Sequence, residues 1–374
     1  NFKPCVITET ACGHDGNLEK LIELIDIASE AGAKAIKFQI YKLNERSLLD
    51  TKEYKIFKNL ILTDEDWKIS VKYAKNKNML VFTDVFGYAS FKLAKSLKVD
   101  GFKVHSEDTL NTSLIKDIIK TNKLVLIGIG GTYRVEIKSL LDELKKYLQT
   151  SNIVLMPGVQ TFPTPLEAHS ITEVSDLIKK YSDYEVKVGF ADHIEGGSES
   201  SFILPLMALS AGAVVIEKHF TTDRNLKQTD YHSALNKNEL KNFLKKVDEH
   251  TILLKPVSNF NKWESLYRNM FKKSPLINIS KKKGEFINSQ DINYVKNSIN
   301  PQSLSTQQLI GKKVKKEIVK GSLISLKNIT QKVGIIVVAR VSSTRLPNKA
   351  TCKILGQDSI SVLLQRMKRI NNSH

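Results

Sequence analysis

The sequence predicts an α/β protein whose residues 1–250 form a (β/α)8 TIM barrel. Two observations lead to this prediction: short apolar runs alternate with longer amphipathic stretches, and eight such units fill about 250 residues, as is typical of the fold. Each run is apolar almost throughout, as parallel strands buried on both faces are. The predicted strands read CVITET, AKAIKFQI, MLVFTD, GFKVHS, LVLIGIG, NIVLMPG, EVKVGFAD and AVVIEKH.

The stretches between these strands carry signals for helix ends. The first, NLEKLIELIDIASEAGA, ends at Gly32, a residue that suits a C-terminal cap. The later stretch TDEDWKISVKYAKNKN opens with Thr63 and Asp66 in a capping-box pattern, with Asp in place of the usual Glu or Gln. A doubly wound sheet would also alternate strands and helices, but it carries a glycine-rich phosphate loop after its first strand. TETACGHDGN is not of that form, so the barrel is favoured.

Three further segments follow the predicted barrel. Residues 251–275 are predicted to be a linker, and residues 276–330 a small β-rich domain. A partial duplication supports that domain, because NISKKKGEFINSQDI resembles KKEIVKGSLISLKNI in its basic strand, Lys-Gly turn and apolar pair. Residues 333–374 read as a buried strand, a basic Ser-rich loop and an amphipathic helix. We expect this last segment to be the truncated start of a nucleotide-binding-like domain, since one such unit cannot bury a core alone.

Composition narrows the class of function. The chain has 374 residues and a formal net charge of +18. Its basic residues are mostly Lys spread along predicted helices, without a nucleic-acid-binding motif, which favours anionic small substrates over DNA or RNA. The sequence has no run of about 18 apolar residues, so no membrane helix is predicted. The first residues lack a signal-peptide pattern. Cys5, Cys12 and Cys352 have no paired spacing, so we expect free thiols in a cytoplasmic protein.

The ends of the predicted strands carry the candidate chemistry, because active sites of TIM barrels lie at the carboxyl ends of their strands. Lys37 and Lys103 lie inside apolar strands, where lysine is costly unless it meets an anion, and together they predict a phosphate or carboxylate site. For either alone, a side chain that reaches solvent is the alternative. His193 and His219 end neighbouring strands and together suit a divalent metal, although each alone also suits a structural role. Glu9 ends strand 1, next to strand 8 by barrel closure.

A polar loop, QTDYHSAL, follows the last strand and contains Asp230 and His232. These side chains suit a metal, a substrate or water alike. The residues alone therefore indicate a barrel enzyme with an anion site and a candidate metal site, and they leave the reaction open.

Several motifs, taken in order, resemble those of the sialic acid synthase family. ETACGHDGNLEKLIELIDIASEAGAKAIKFQ is similar to the family's opening, roughly Glu-x-Gly-x-Asn-His-x-Gly followed by Gly-Ala-x-x-x-Lys-x-Gln. GFKVHSED, TFPTP, VGFADH, EKHFT and TDYHSAL are similar to its later motifs in order and spacing. The small domain with two Lys-Gly turns resembles the antifreeze-like (SAF) domain that follows the barrel in this family. The resemblance covers residues 1–330.

The resemblance implies an enzyme that condenses phosphoenolpyruvate with the aldehyde of an N-acylated hexosamine to give a sialic acid or related nonulosonic acid and phosphate. A divalent metal, Mn²⁺ or Mg²⁺, is implied on His193 and His219 as a Lewis acid for the aldehyde. Glu9 is implied to position or deprotonate a group at the reacting centre and completes the catalytic set. The implied substrate-binding residues are Lys37, Gln39, Lys103, Ser106, Asp108, Gln160, Phe162 and Asp230. A domain-swapped homodimer is also implied, because the family's antifreeze-like domain caps a partner's barrel.

The sequence departs from the family pattern around the implied pocket. Asp84 replaces a Thr, and a carboxylate near a phosphate site is unfavourable unless it points away or binds metal. Other departures are Gly13 for Asn, Gly128-Ile129-Gly130 for Ser-Thr-Gly, Gln160 for Asn, Phe162 for Tyr, Ala191 for Ser, and Asn297 for an Arg that reaches the partner's sugar. Loss of that Arg would change how the sugar is recognised.

The segment from residue 333 resembles the N-terminal segment of acylneuraminate cytidylyltransferases. ARVSSTRLPNK is similar to their opening ARxxSxRLPxK, which implies Arg340, Ser343, Arg345 and Lys349 as nucleotide-binding residues. Basic side chains on a loop after a strand suit a nucleoside triphosphate. A fused cytidylyltransferase would activate the product of the synthase.

Two alternatives remain open beside the nonulosonic acid synthase. The altered acceptor-side residues would also suit a synthase for a different aldose acceptor. Asp84, Gly128, Ala191 and Asn297 would suit a catalytically degenerate dimeric scaffold for a fused cytidylyltransferase. The retained lysines and histidines argue against the scaffold.

Overall fold

The computed structural model describes residues 4–148, 152–257, 260–297, 303–330, 352–354 and 356–371. The chain divides into two compact units, Asn1–Pro256 and Val257–His374. The first unit is the predicted barrel, and the second contains the small β-rich region and the C-terminal segment.

Parallel strands form a closed barrel in the first unit. The strands are β1 (Cys5–Glu9), β2 (Ala35–Ile40), β3 (Leu80–Val85), β4 (Gly101–Val104), β5 (Leu124–Gly128), β6 (Ile153–Met156), β7 (Lys187–Val188), β8 (Phe190–Ala191) and β9 (Val215–His219). The helices are α1 (Leu18–Ala31), α2 (Leu43–Arg46), α3 (Lys52–Leu60), α4 (Asp64–Asn76), α5 (Tyr88–Ser96), α6 (Thr112–Ile119), α7 (Arg134–Leu148), α8 (Thr172–Lys180), α9 (Ser200–Ser210) and α10 (Lys237–Leu253). β1 pairs with both β2 and β9, and the TIM-barrel prediction is confirmed.

The seventh strand is divided at Gly189 into β7, which pairs with β6, and β8, which pairs with β9. The Gly189 N–H donates to the Leu155 carbonyl oxygen at 2.8 Å. A Cβ at this position would lie 2.4 Å from Met156 Sδ and 2.8 Å from the Val215 carbonyl oxygen. Because a larger residue would collide with both neighbours, glycine allows the seventh strand to pass from one pairing to the other.

The barrel interior is built in layers. Its lower part is apolar and contains Ile7, Ala35, Phe82, Leu126, Val154, Met156, Ala191 and Val215. Residues two positions further along a strand point into the same interior, because side chains alternate between the two faces. In four strands that next residue is charged and at most 1% exposed: Glu9 after Ile7, Lys37 after Ala35, Asp84 after Phe82, and Glu217 after Val215. A larger apolar core lies between the strands and the surrounding helices.

The predicted helix ends are present. Gly32 adopts a left-handed conformation (φ 93°) after α1 and caps it through its N–H. Thr63 and Asp66 form the reciprocal capping box at the start of α4. Helix α10 passes the predicted boundary at residue 250 and ends at Leu253.

The second unit contains α11 (Lys262–Phe271), β10 (Lys273–Ile277), β11 (Ile292–Lys296) and α12 (Thr306–Leu309), with β10 and β11 antiparallel. Helix α11 lies within the residues predicted as a linker. The duplication is visible in the backbone, because Gly284 and Gly321 both have left-handed φ values, 92° and 83°. Each glycine is followed by a buried isoleucine, Ile287 or Ile324, in a small core shared by the two copies.

The C-terminal segment contains β12 (Lys353–Ile354), β13 (Gln357–Asp358) and α13 (Ser359–Asn371). β12 and β13 form an antiparallel pair. The residues implied to bind a nucleotide, Arg340, Ser343, Arg345 and Lys349, lie outside the described residues.

Two expectations from composition can be compared with the structure. None of the helices in the described part of the chain is long and apolar enough to cross a membrane. Cys5, Cys12 and Cys352 are free thiols. Burial raises the pKa of Cys5 to about 11, so this thiol stays protonated at neutral pH.

Helix α7 offers a matched test of core packing. Leu141 is 0% exposed, whereas Val135 on the same helix is 72% exposed. We expect Leu141→Ala to lower the free energy of unfolding of the barrel by about 2–5 kcal/mol, because it removes buried methyl groups and leaves a cavity. Val135→Ala should change it by less than about 0.5 kcal/mol. Urea unfolding followed by far-UV circular dichroism measures both, and equal effects would contradict the described packing of α7.

Candidate active site

A cavity of about 920 Å³ opens at the carboxyl ends of the barrel strands. Of the implied catalytic and substrate-binding residues, seven line it: Gln39, Ser106, Gln160, Phe162, His193, His219 and Asp230. His232, from the polar loop after the last strand, lines it as well. Glu9, Lys37 and Lys103 do not line the cavity and are at most 4% exposed. Asp108 also lies off the cavity wall, in the 3₁₀ turn Ser106–Asp108. The structure therefore brings most of the predicted set together at the expected end of the barrel.

Lys37 is enclosed by carboxylates in the barrel interior. Its ammonium group makes a close ion pair with Asp84, closely contacts the Glu9 carboxyl group and lies 3.5 Å from Glu217. Strand alignment explains this grouping, because Glu9 on β1 lies opposite Lys37 on β2. Lys37 is fully buried, so the alternative of a lysine that reaches solvent does not apply to it.

Lys103 is the second buried cation of this group. Its ammonium group donates to Glu217 Oε1 at 2.6 Å, and its strand partner on β3 is Asp84. We refer to Glu9, Lys37, Asp84, Lys103 and Glu217 as the buried charge layer. The lysines do converge as the sequence predicted, but three carboxylates already accompany them. Asp84 does not point away from this group but pairs directly with Lys37.

Burial and the neighbouring charges set the protonation of this layer. Burial raises the pKa of Glu9 to about 8; Lys37 opposes the rise, and Glu217 and Asp84 add to it. Burial also disfavours ionised Glu217, but Lys103 and Lys37 outweigh it and hold its pKa well below the usual range. Burial disfavours charged Lys37, yet the surrounding carboxylates raise its pKa above the usual lysine value. At neutral pH the layer therefore holds a protonated Glu9, an ionised Glu217 and a charged Lys37.

His193 and His219 lie side by side on the cavity wall, with ring centroids 5.0 Å apart. His193 Nδ1 is 2.8 Å from the Val159 carbonyl oxygen, to which it can only donate, so its Nε2 is left with a lone pair. The Ser233 hydroxyl and the Thr164 N–H both donate to the His193 carbonyl oxygen, at 2.6 and 2.8 Å, and fix its backbone.

Both imidazoles are held in the neutral form. Burial is the largest cause and lowers both pKa values; Lys103 adds to this at His193, and His193 adds to it at His219. His219 Nδ1 is buried and has no hydrogen-bond partner among the described residues. Neutral imidazoles with free ring nitrogens are suitable ligands for a divalent metal. No group of three or more His, Cys, Asp or Glu side chains arranged to hold a metal occurs in the described part of the chain.

Ser106 is a further polar group on the cavity wall. Its Oγ is buried and lacks a partner among the described residues. A Cβ at residue 128 would lie 2.5 Å from this Oγ, so Gly128 provides the space that the Ser106 side chain occupies. Gln160, nearby, donates from Nε2 to the Gly158 carbonyl oxygen at 3.1 Å.

Other wall residues come from strand β2 and from the loops that follow β1, β6 and β9. Asp230 has a left-handed backbone (φ 66°), and its Oδ2 accepts from the Cys12 N–H at 3.2 Å. Burial raises the pKa of Asp230, while the Cys12 N–H and the charge of Arg46 oppose that rise. Gln39 Oε1 lies 3.7 Å from Cys12 Sγ. Phe162 is 55% exposed at the rim.

Two residues were not predicted to have a role. Glu217 precedes His219 by two positions in an apolar strand, and that spacing was a usable signal for an inward side chain. Arg46 also lines the cavity, but it lies in the short helix α2 after β2, where no strand periodicity marks it.

Replacement of Glu9 tests the proton held in the buried charge layer. Because its pKa is raised from 4.5 to about 8, the folded barrel binds a proton that the unfolded chain lacks between those values. This contribution lowers stability as pH rises through that window. The buried histidines act in the opposite direction, but only up to about pH 6.5. As pH rises from 6.5 to 8.5, the free energy of unfolding of wild type should therefore fall. We expect the difference in this free energy between Glu9→Gln and wild type to shift by roughly 1–2 kcal/mol in favour of Glu9→Gln.

The measurement is urea unfolding in EDTA at several pH values. Glu143→Gln is the control, because Glu143 is exposed and its pKa is lowered, so it does not titrate in this window. Parallel stability curves for wild type and Glu9→Gln would contradict the assigned protonation.

Comparison with known proteins places this site in a family. The NeuB family model matches residues 24–257. A pseudaminic acid synthase from Campylobacter jejuni is 26% identical over 330 residues, which cover 84% of this chain and 94% of that protein. An N,N'-diacetyllegionaminic acid synthase from the same species is 25% identical over 326 residues, 83% of this chain and 95% of that protein.

A solved structure agrees with this result. The N-acetylneuraminic acid synthetase of Leptospira borgpetersenii, crystallised with citrate, is 27% identical and superposes with a TM-score of 0.64. The match covers 71% of this chain and 92% of that one. Since the family match spans most of the chain and includes the carboxyl ends of the strands from β2 to β9, the chain belongs to the NeuB family.

Proposed function

We propose that this chain condenses phosphoenolpyruvate with the aldehyde of an N-acylated hexosamine, giving a nonulosonic acid and phosphate. The observation that carries the proposal is the buried charge layer beside two neutral histidines, at the carboxyl end of a NeuB-family barrel. The relatives named above, synthases of pseudaminic and legionaminic acid, support the product class.

The polar groups around Lys103 form the proposed site for phosphoenolpyruvate. Ser106 has a buried hydroxyl without a described partner, and within the buried charge layer Lys103 pairs with Glu217 whereas Lys37 lies near three carboxyl groups. Gln160 supplies an amide on the same cavity wall. Asp108 is better described as supporting this turn, because its N–H donates to the His105 carbonyl oxygen.

The residues present fit a divalent metal, Mn²⁺ or Mg²⁺, held by His193 and His219. Their neutral imidazoles and the orphaned His219 Nδ1 are the observations behind this assignment. When bound, such an ion supplies Lewis-acid polarisation of the aldehyde.

The proposed reaction forms a bond between C3 of phosphoenolpyruvate and the aldehyde carbon, with electrons from the C2–C3 double bond. The aldehyde oxygen takes a proton from water. Glu9 lies below the cavity wall, and we propose that it positions the reacting groups through the buried charge layer. Water then adds at C2, and cleavage of the bond from C2 to the phosphate oxygen releases phosphate and leaves the keto group. Gln39, Phe162 and Asp230, all on the cavity wall, are proposed to contact the sugar.

The pair between Asp84 and Lys37 bears on the degenerate-scaffold hypothesis. It reduces the positive charge available to an anionic substrate. The lysines, the histidine pair and the open cavity nevertheless retain the components that the condensation requires. We therefore favour the enzyme, in which Asp84 moderates the affinity for phosphoenolpyruvate.

Further parts of the proposal concern the whole chain. We propose a domain-swapped homodimer in the cytoplasm, where phosphoenolpyruvate is made, with the antifreeze-like assignment of residues 276–330 retained. Helix α11 has no buried residue, and Trp263, Tyr267 and Met270 are each more than half exposed, which supports a contact with another chain. Sedimentation equilibrium tests the dimer. We also retain the interpretation of residues 333–374 as nucleotidyltransferase-like.

Phosphate release tests the proposed function. Phosphoenolpyruvate and Mn²⁺ are incubated with N-acetylmannosamine, diacetylated 6-deoxyhexosamines, mannose and shorter aldoses in turn. We expect release that requires both the metal and an N-acylated hexosamine. Release with a different aldose would support the alternative synthase, and no release from a folded protein would overturn the proposal.

Replacement of His219 tests the metal assignment. We expect His219→Ala to weaken Mn²⁺ binding by about 100-fold or more and to abolish turnover, because it removes one of two protein ligands. Electron paramagnetic resonance of free Mn²⁺ measures binding independently of activity. His250→Ala is the control, since His250 lies near the end of α10 and bonds to Ser210. Unchanged binding and turnover in His219→Ala would exclude the assigned role.

Replacement of Asp84 tests its effect on Lys37. We expect Asp84→Asn to lower the KM for phosphoenolpyruvate about 3- to 10-fold, because one negative charge beneath the anion site is removed. The KM for the sugar should change little. Asp117→Asn is the control for loss of a surface carboxylate, as Asp117 pairs with the exposed Lys120. A KM for phosphoenolpyruvate that stays constant or rises in Asp84→Asn would contradict this role.

A further inference from the structure

Arg46 is a cavity-lining cation that none of the interactions above uses. Its guanidinium carbon lies 4.4 Å from the Phe57 ring centroid and 4.0 Å from that of Phe86. The side chain is only 11% exposed. Since aromatic rings lie against the guanidinium, its N–H edge is the route by which a ligand can bind.

The short helix α2 that carries Arg46 is tied to two neighbouring loops. Glu45 accepts from the Ala89 and Ser90 N–H groups at 2.6 and 3.0 Å, at the start of α5. Gly87 provides the space for this contact, because a Cβ there would lie 2.4 Å from Glu45 Oε1. Arg46 itself pairs with Glu107, in the turn after β4. The guanidinium is therefore held in place before any substrate arrives.

The hydrogen-bonding capacity of Arg46 is not fully used. A guanidinium has five N–H donors, and Nη1 donates to Glu107. Nε is buried and has no acceptor among the described residues. A buried donor without a partner is costly, whereas a hydrogen bond from a charged donor is among the stronger ones. Because Arg46 lines the cavity and only Nη1 is used by Glu107, its remaining N–H edge can donate to a ligand oxygen.

The surroundings of Arg46 indicate which oxygen. Ile56, Phe57 and Leu60 form an apolar stretch of the cavity wall beside it. Glu107 and Asp230 are carboxylates on the same wall, and an anionic substituent would be repelled by both. A neutral group with a carbonyl oxygen and a short alkyl end matches the donor and the apolar stretch together.

We propose that Arg46 is a specificity-determining residue that donates to the carbonyl oxygen of the N-acyl group on the acceptor sugar, with the acyl methyl against Phe57 and Leu60. This inference rests on the proposed function and adds a residue from the same chain to the acceptor subsite. It predicts discrimination between a sugar with an acylamino group and the same sugar with a hydroxyl there, because the hydroxyl lacks both matching features.

Arg46→Lys tests the proposal, because it keeps the charge and removes the planar set of donors. We expect the ratio of kcat/KM for N-acetylmannosamine over mannose to fall about 10- to 100-fold, through the KM of the acylated sugar. The KM for phosphoenolpyruvate should stay within about twofold. Arg134→Lys is the matched control, because Arg134 pairs with Glu173 away from the cavity. Methylguanidine should partly restore the ratio in Arg46→Ala.

Three outcomes would overturn the assignment. One is an equal loss for both sugars in Arg46→Lys, which would indicate a structural role. Another is a wild-type preference for a phosphorylated or carboxylated sugar that Arg46→Lys abolishes, which would indicate an anion site. The third is equal binding of N-acetylmannosamine and mannose to wild type, measured by saturation-transfer NMR.

This binding measurement does not need turnover. If wild type releases no phosphate with any sugar, the proposed function fails, and the NMR comparison still tests the role of Arg46.

Discussion

The rest of the site depends on the ion pairing of Lys37 inside the barrel. A fully buried ammonium group is costly to remove from water, and its removal is offset only by opposite charges at close range. Glu9 and Asp84 supply close contacts, and Glu217 lies 3.5 Å away. These carboxylates are themselves buried, so they in turn require cations. Lys103 provides the second one through Glu217. The apolar layer below it carries no charge, and the charge layer therefore separates the packed core from the cavity.

This arrangement also determines the chemistry available above it. Burial, with two carboxylates nearby, leaves a proton on Glu9 at neutral pH, while lysines keep Glu217 ionised. Burial keeps His193 and His219 neutral, with the Lys103 charge also acting on His193. A site with one protonated carboxyl and two neutral imidazoles can hold a proton and suit a metal at the same pH. These are complementary requirements for adding a carbon nucleophile to an aldehyde.

The sequence predicted the strands from their apolar pattern, and it predicted site residues where a charged residue interrupts that pattern. Parallel strands buried on both faces give apolar runs, so all eight strands could be located. Lys37 and Lys103 stood out because lysine is rare inside such runs. The pairing of Asp84 with Lys37 could not be read from the sequence, since it depends on the alignment of β3 with β2, in which Asp84 lies opposite Gln39. Arg46 was missed because it acts from a four-residue helix whose position is set by contacts with distant loops.

The departures from the family pattern can be judged by whether neighbouring residues compensate for them. At Gly128 the expected hydroxyl is absent, yet a Cβ there would meet Ser106 Oγ at 2.5 Å, so the glycine makes room for a hydroxyl that follows the neighbouring strand β4. Asp84 adds a carboxylate, and it is matched by Lys37 instead of being left unpaired. Ser106 and Lys37 both belong to motifs that agree with the family pattern. These two departures are therefore accommodated by retained residues, which argues that they alter how the site holds its substrates and leave its reaction in place.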